Sequence, residues 1–126
     1  MHDGTRDLAR RLLAAIRLFN GAAGLLFPEA LARRVGVDPD ANPGVLYFIR
    51  LFGVRTVVIG AELLMPETGE RRATALRQAV LIHGSDTLAA GVAAFSGRLP
   101  GRTGLTITLI SAVNTLLALY AGGRAR

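Results

Sequence analysis

The chain contains no cysteine, no lysine and no tryptophan, and only seven of its 126 residues are aromatic. Without cysteine, disulfides, thiolate metal sites and a thiol nucleophile are all excluded. Histidine is nearly absent too: His2 lies in the polar N-terminal tail and His83 stands alone in an apolar stretch, so a bis-histidine haem has too few ligands. His83, Asp86 and Glu62 are a thin donor set for a divalent ion, and Arg50 and Arg55 nearby would oppose a cation. We therefore expect no metal and no cofactor. No glycine-rich phosphate loop occurs, and Ser85, Ser111 and Thr115 lack the Gly-x-Ser-x-Gly context of an activated hydroxyl. Asp38, Asp40 and Asn42 lack the spaced glutamate of a calcium loop and read as a turn.

Because lysine is missing, all fifteen basic residues are arginine, against nine acidic ones, for a net charge of +6. That excess could suit nucleic acid, which needs a basic face. Twelve of the arginines instead flank apolar segments or lie in the connections between them, where membrane proteins keep their charge. No nucleic-acid partner is expected.

What the chain does have is long apolar runs. Hydrophobic residues make up 51% and charged residues 19%, below the roughly one quarter usual in soluble domains. Four stretches stand out, about 12–27, 44–65, 78–97 and 103–123, joined by turn-rich connections. The last has no ionisable side chain over twenty-one residues, enough to cross about 30 Å of hydrocarbon. We expect an all-α, four-helix antiparallel transmembrane bundle forming one domain over residues 1–126. The polar start followed by an apolar run superficially resembles a signal peptide, but Arg17 interrupts the run and no cleavage site follows before Pro28, so it reads as a retained first helix. Eight arginines (6, 10, 11, 71, 72, 77, 124 and 126) fall on the side of both termini and four (33, 34, 98 and 102) on the other. The positive-inside bias then puts both termini in the cytoplasm, in a multi-pass protein of the inner (plasma) membrane.

Each apolar stretch carries polar residues near its middle: Arg17 and Asn20, Arg50 and Arg55, His83 and Asp86, Ser111 and Asn114. Charges inside a bilayer cost several kcal/mol, roughly 2.5–3.5 for Arg or Asp on insertion scales, and tend to mark functional sites. A buried arginine needs a counter-charge, and Asp86 is the acid nearest the centre of a stretch, so Asp86 is expected to pair with Arg50 or Arg55. Arg17, only about five residues into its stretch, is expected to reach the interface. His83 and Asp86 lie one helical turn apart and are the candidate proton-handling, catalytic pair. Arg50, Arg55, Asn20 and Asn114 are the candidate ligand-binding residues. The alternative is a satisfied ion-pair network that only fixes helix register.

The glycines at 21, 24, 53, 60, 84 and 91 have helical spacing and read as packing residues. In the fourth stretch Gly104, Thr108, Ser111, Thr115, Ala118 and Gly122 form one small-residue stripe, a candidate surface for a homo-oligomer. Ile16-Arg17-Leu18-Phe19 recurs as Ile49-Arg50-Leu51-Phe52 thirty-three residues on, the sort of repeat found in inverted-repeat transporters.

Pro28-Glu29 at the end of the first helix, Arg33-Arg34-Val35-Gly36-Val37 after it, Arg50-Leu51-Phe52-Gly53-Val54-Arg55 and His83-Gly84-Ser85-Asp86 resemble small four-helix bacterial membrane proteins catalogued as domains of unknown function. The layout is similar to the DoxX-like class. This resemblance implies a four-helix integral membrane fold and no particular reaction. The partners expected are the lipid bilayer and a hydrophobic small molecule or lipid. The functions open from sequence are a cofactor-independent enzyme or binding protein for such a molecule, a small proton-coupled carrier, or an accessory subunit.

Overall fold

A computed structural model of the chain describes residues 2–65 and 69–123. These residues form five helices and no strand: α1 (His2–Leu26), α2 (Pro28–Arg34), α3 (Gly44–Leu64), α4 (Glu70–Phe95) and α5 (Gly101–Gly122). Arg124 and Arg126, two of the eight arginines in the charge count, lie outside the described residues.

The helices begin earlier than the apolar runs do. α1 includes the polar segment ahead of residue 12, where Asp7 is bonded by Arg10 and by Arg11, the latter at 2.7 Å. Those contacts lie three and four residues apart, the spacing that supports helix, and they hold the Asp7 carboxyl below its ordinary pKa. α4 likewise takes in Glu70 to Arg77, read from sequence as connection. Hydrophobicity located the apolar part of each long helix; main-chain hydrogen bonding carries α1 and α4 past it.

The connection expected from 28 to 43 also contains a helix. Pro28 has no N–H and disfavours helical backbone at the residue before it, so α1 stops at Leu26 and Phe27 adopts φ −130°. α2 then leaves at 107° to α1. It ends at Gly36, whose φ of +80° lets Val37 donate to the Ala32 carbonyl and Gly36 to that of Arg33, closing the helix. Beyond it Arg33 lies 3.2 Å from Asp40, and the Asp40 amide donates to Asp38. The Asp38–Asn42 segment is a turn whose carboxylates already have a basic partner.

Among the described residues, only α3 and α5 are individually long and apolar enough to cross a membrane; α1 qualifies only together with α2 across their bend, and α4 does not qualify. Gln78, His83, Ser85 and Asp86 lower its hydropathy. From sequence four unequal spans are expected, the fourth the cleanest, the third impure and the first two weak in hydropathy; of the weak pair, the one that became α3 qualifies alone.

Glycine decides which helices approach closely. α1 packs on α3 with Gly21 against Gly53 and Val57, Gly24 against Ile49, and Gly60 against Arg17 and Leu18. A Cβ built on Gly53 would lie 2.8 Å from the Gly21 carbonyl oxygen and 2.9 Å from the Leu25 nitrogen. α4 packs on α5 through Gly104, which faces Ala94, and through Thr87 and Thr115, whose hydroxyls are 3.4 Å apart. α1 also touches α5, whereas α3 and α4 meet only sparsely. Gly84 and Gly91, expected to pack like the others, face open space. The small-residue stripe of α5 is turned inward, with Gly104, Ser111 and Ala118 buried. Gly104 and Thr115 of this stripe lie against Ala94 and Thr87 of α4.

The interior is small and polar. Six of the nine buried hydrophobic residues are alanine and the other three are leucine, while Arg10, Arg17, Thr56, His83, Ser111 and Asn114 are buried with them. Leu13, Ala14, Leu63, Leu76, Ala79 and Ala118 form the one apolar cluster, with Arg10 donating to the Leu63 carbonyl beside it. The large apolar side chains point outward: Phe19, Leu26, Phe48, Leu81, Leu88 and Phe95 are all at least two-thirds exposed. Among the described residues the interior holds polar and small apolar side chains together, while many large apolar ones lie on the surface.

Candidate functional site

Three helices bring charge to one place. On α1, Arg17 shares a face with Gly21 and Gly24, so the close approach of α1 to α3 carries its side chain into the interior. It is 4% exposed. This corrects the expectation that Arg17 reaches the interface: the glycines that fix the buried face of α1 fix Arg17 with it. The same phasing buries Thr56, which stands between Gly53 and Gly60 on α3.

Arg17 meets α4 at two points. Its Nε is 3.0 Å from His83 Nε2, and a second guanidinium nitrogen contacts His83 Nδ1. Arg17 Nη2 is also 3.7 Å from Asp86 Oδ2. A guanidinium can only donate, so the imidazole must present it a lone pair, which an imidazolium lacks. With both ring nitrogens facing a guanidinium, His83 is not free to ligate a cation. It is fully buried.

On the other side of Asp86 lies Arg55 of α3, with Nη2 3.6 Å from Oδ1. Asp86 therefore sits between two guanidiniums, beyond hydrogen-bonding distance of both. Exposure rises outward along this row: Arg17 is buried, Asp86 is about a third exposed at 32%, and Arg55 is half exposed at 52%. The row opens along the sparse seam between α3 and α4. Two arginines and one aspartate leave a net charge of +1.

Other candidates fall elsewhere. Arg50 is on the exposed side of α3 and makes no ion pair with Asp86; a helix advances about 100° per residue, so five positions turn it well away from Arg55. His83 and Asp86, which helical spacing allows to touch, are instead both contacted by Arg17. Asn20 and Asn114 line a separate groove between α1 and α5. The repeat does not extend to three dimensions: Arg17 is buried and its counterpart Arg50 exposed.

The hydroxyls are spent within their own helices. Ser85 donates to the Leu81 carbonyl at 2.8 Å, Thr87 to that of His83 at 2.7 Å, and Thr115 to that of Ser111 at 2.8 Å, the usual arrangement for a helical Ser or Thr in apolar surroundings. Thr56 Oγ1 and Asn114 Oδ1 are buried without a hydrogen-bond partner. Sequence had singled out Arg55, His83, Asp86 and Asn114; it missed Thr56 and gave Arg17 the wrong role.

Comparison of the chain with protein-family models, curated proteins and solved structures finds no match.

Proposed function

We propose that this is an integral membrane protein that binds the anionic end of a hydrophobic small molecule or lipid at Arg55, in the seam between α3 and α4. On this reading α1, α3, α4 and α5 are an antiparallel transmembrane bundle of DoxX-like layout in the inner membrane, with both termini cytoplasmic. The outward-facing apolar side chains support the membrane placement. Soluble monomers rarely expose contiguous apolar patches larger than a few hundred Å², whereas here α3, α4 and α5 carry large exposed hydrophobics along their length.

One observation carries the binding reading: a single carboxylate lies between two guanidiniums, and the outer one, Arg55, is half exposed. A charge facing hydrocarbon near the middle of α3 is costly, and a carboxylate or phosphate arriving through the seam would neutralise it. Arg55 would hold that group, Asp86 would orient Arg55, and Arg17 would brace Asp86 from behind.

Binding is favoured over proton-transfer catalysis. His83, the natural acid or base, is fully buried behind Arg17 and does not reach the seam. A carrier would lose the support of the repeat, which the two helices do not share in environment.

The test has two parts. The protein should stay in the membrane fraction through a carbonate wash. In nanodiscs it should bind oleate, and Arg55→Ala should weaken that binding at least tenfold, as expected for loss of a charge-assisted hydrogen bond worth roughly 1.5–3 kcal/mol. Equal oleate affinity in the two proteins would remove Arg55 from the site.

A further inference from the structure

α1 and α4 both run past their apolar stretches at one end of the bundle, α1 through the polar residues before Leu12 and α4 through Glu70 to Arg77. α3 closes beside them at Leu64. Between these three helix ends lies a cavity of about 480 Å³, within the range of roughly 300–1,000 Å³ typical of ligand-sized sites. Its walls carry charge of both signs: Arg10 from α1, Glu62 from α3, and Glu70, Arg71 and Arg72 from α4.

These charges are of two kinds. Arg10 is 7% exposed and is held in place, donating to Asp7 and to the Leu63 carbonyl. Glu62, Glu70 and Arg72 line the same cavity and form no ion pair among the described residues. Opposite charges that share one space attract, yet the helix ends keep these apart. With Asp7 set against Arg10, the formal charges of the lining balance.

That balance decides the class of occupant. A simple anion would meet Arg72 and also face two carboxylates, and a simple cation would meet the carboxylates and also face the arginines. A zwitterion with a phosphate at one end and an ammonium at the other satisfies both signs. Its ammonium has to carry N–H groups, because a carboxylate binds it by accepting hydrogen bonds. A quaternary ammonium has none and is held instead by aromatic faces, and no lining residue is aromatic. The position of the cavity points to a lipid as the source. α3 is apolar enough to span and ends here, with half-exposed Met65 lining the cavity, so in a membrane this is the level where hydrocarbon gives way to head groups.

We propose that this cavity is a head-group site for an ethanolamine phospholipid, with the phosphate on Arg72 and the primary ammonium between Glu62 and Glu70. The site shares the membrane placement proposed above and is otherwise independent of Arg55, which lies about two helical turns, roughly 10 Å, from Glu62 along α3.

The experiment takes the full chain in detergent and measures retained lipid by native mass spectrometry, with phosphatidylethanolamine, phosphatidylcholine and phosphatidylglycerol of identical chains supplied in equal amounts. Phosphatidylethanolamine should be retained roughly tenfold over either rival, the scale of a hydrogen bond to a charged group. Its N-methylated derivatives should fall in between, in the order of their remaining N–H groups. Glu62→Gln combined with Glu70→Gln should erase the preference over phosphatidylcholine, whereas Arg72→Gln should weaken all three lipids. Both glutamates are exposed, so helical circular dichroism should be unchanged; if the variants do not fold, the methylation series on the native protein decides the matter. Equal retention of phosphatidylethanolamine and phosphatidylcholine would overturn the proposal, as would an unchanged preference in the doubly substituted protein. Displacement of the lipid by an equal concentration of soluble glycerophosphoethanolamine would overturn the lipid as source. Arg55→Ala should lose oleate and keep the ethanolamine preference, and loss of both would overturn the separation of the two sites. Release of the native protein by a carbonate wash would overturn both readings together.

Discussion

Replacing Gly53 by alanine tests the contact that places Arg17. The added methyl would stand 2.8 Å from the Gly21 carbonyl oxygen and 2.9 Å from the Leu25 nitrogen, where ordinary contact begins at 3.4 Å. The deficit is 3.4 − 2.8 = 0.6 Å. Both neighbours are main-chain atoms, so no side chain can rotate aside and the two helices have to separate by about that distance. Overpacking of this kind costs about 1–3 kcal/mol, roughly a fivefold to hundredfold change in the folding equilibrium. Gly84 supplies the control. A Cβ there meets nothing within 4 Å, so Gly84→Ala should be neutral, or stabilising by up to about 1 kcal/mol from reduced backbone entropy in the unfolded chain. Equilibrium unfolding in mixed SDS micelles, followed by circular dichroism, reads both variants on one scale. Equal stability of Gly53→Ala and Gly84→Ala would refute glycine-mediated approach of α1 to α3, and with it the reason Arg17 is interior.

Two further outcomes follow from the charges. Asp86→Asn removes the carboxylate paired with buried Arg17, and stranding a buried ion costs about 3 kcal/mol; Arg17→Gln added to it should restore most of the loss. A double variant no more stable than the single one would mean that Arg17 does not depend on Asp86. Asp7, held below its usual pKa by hydrogen bonds from Arg10 and then Arg11, contributes stability in full above the unfolded carboxyl value of 3.8. That contribution fades as pH falls through the lower folded value. Thermal unfolding between about pH 5 and pH 2 should therefore show an acid-side loss that Asp7→Asn lacks. Parallel curves for the two proteins would rule this out.

Much of the fold was legible because helices in apolar surroundings leave a clear pattern. The four long helices could be located from their apolar runs, and Pro28 marked the end of the first. The extensions of α1 and α4 were not legible, since polar helical turns stabilised by pairs such as Asp7 with Arg11 look like connection. α2 is too short for periodicity to distinguish it from a turn.

The site was legible in part. The cost of an uncompensated charge pointed from sequence to Asp86 with either Arg50 or Arg55, and the structure brings Arg55 to 3.6 Å of it. Arg17 was misjudged by counting residues from the end of its apolar run, although its spacing from Gly21 and Gly24 already placed it on the buried face. Arg50 and Arg55 lie on different faces of one helix, and which of those faces meets Asp86 depends on how α3 packs, so both stayed open from sequence.

By itself the sequence determined that this chain is helical, apolar, rich in arginine at its segment ends, and equipped with a few intramembrane-type polar residues, because composition and periodicity are properties of the chain alone. Only the tertiary structure decided which glycines are contacts and which are idle, since Gly53 and Gly84 differ in nothing but what faces them. It decided likewise that Arg17 separates His83 from Asp86, and that Asn20 and Asn114 line a groove apart from the charged row. Those are relations between helices, set by how closely backbones approach, and no single helix encodes them.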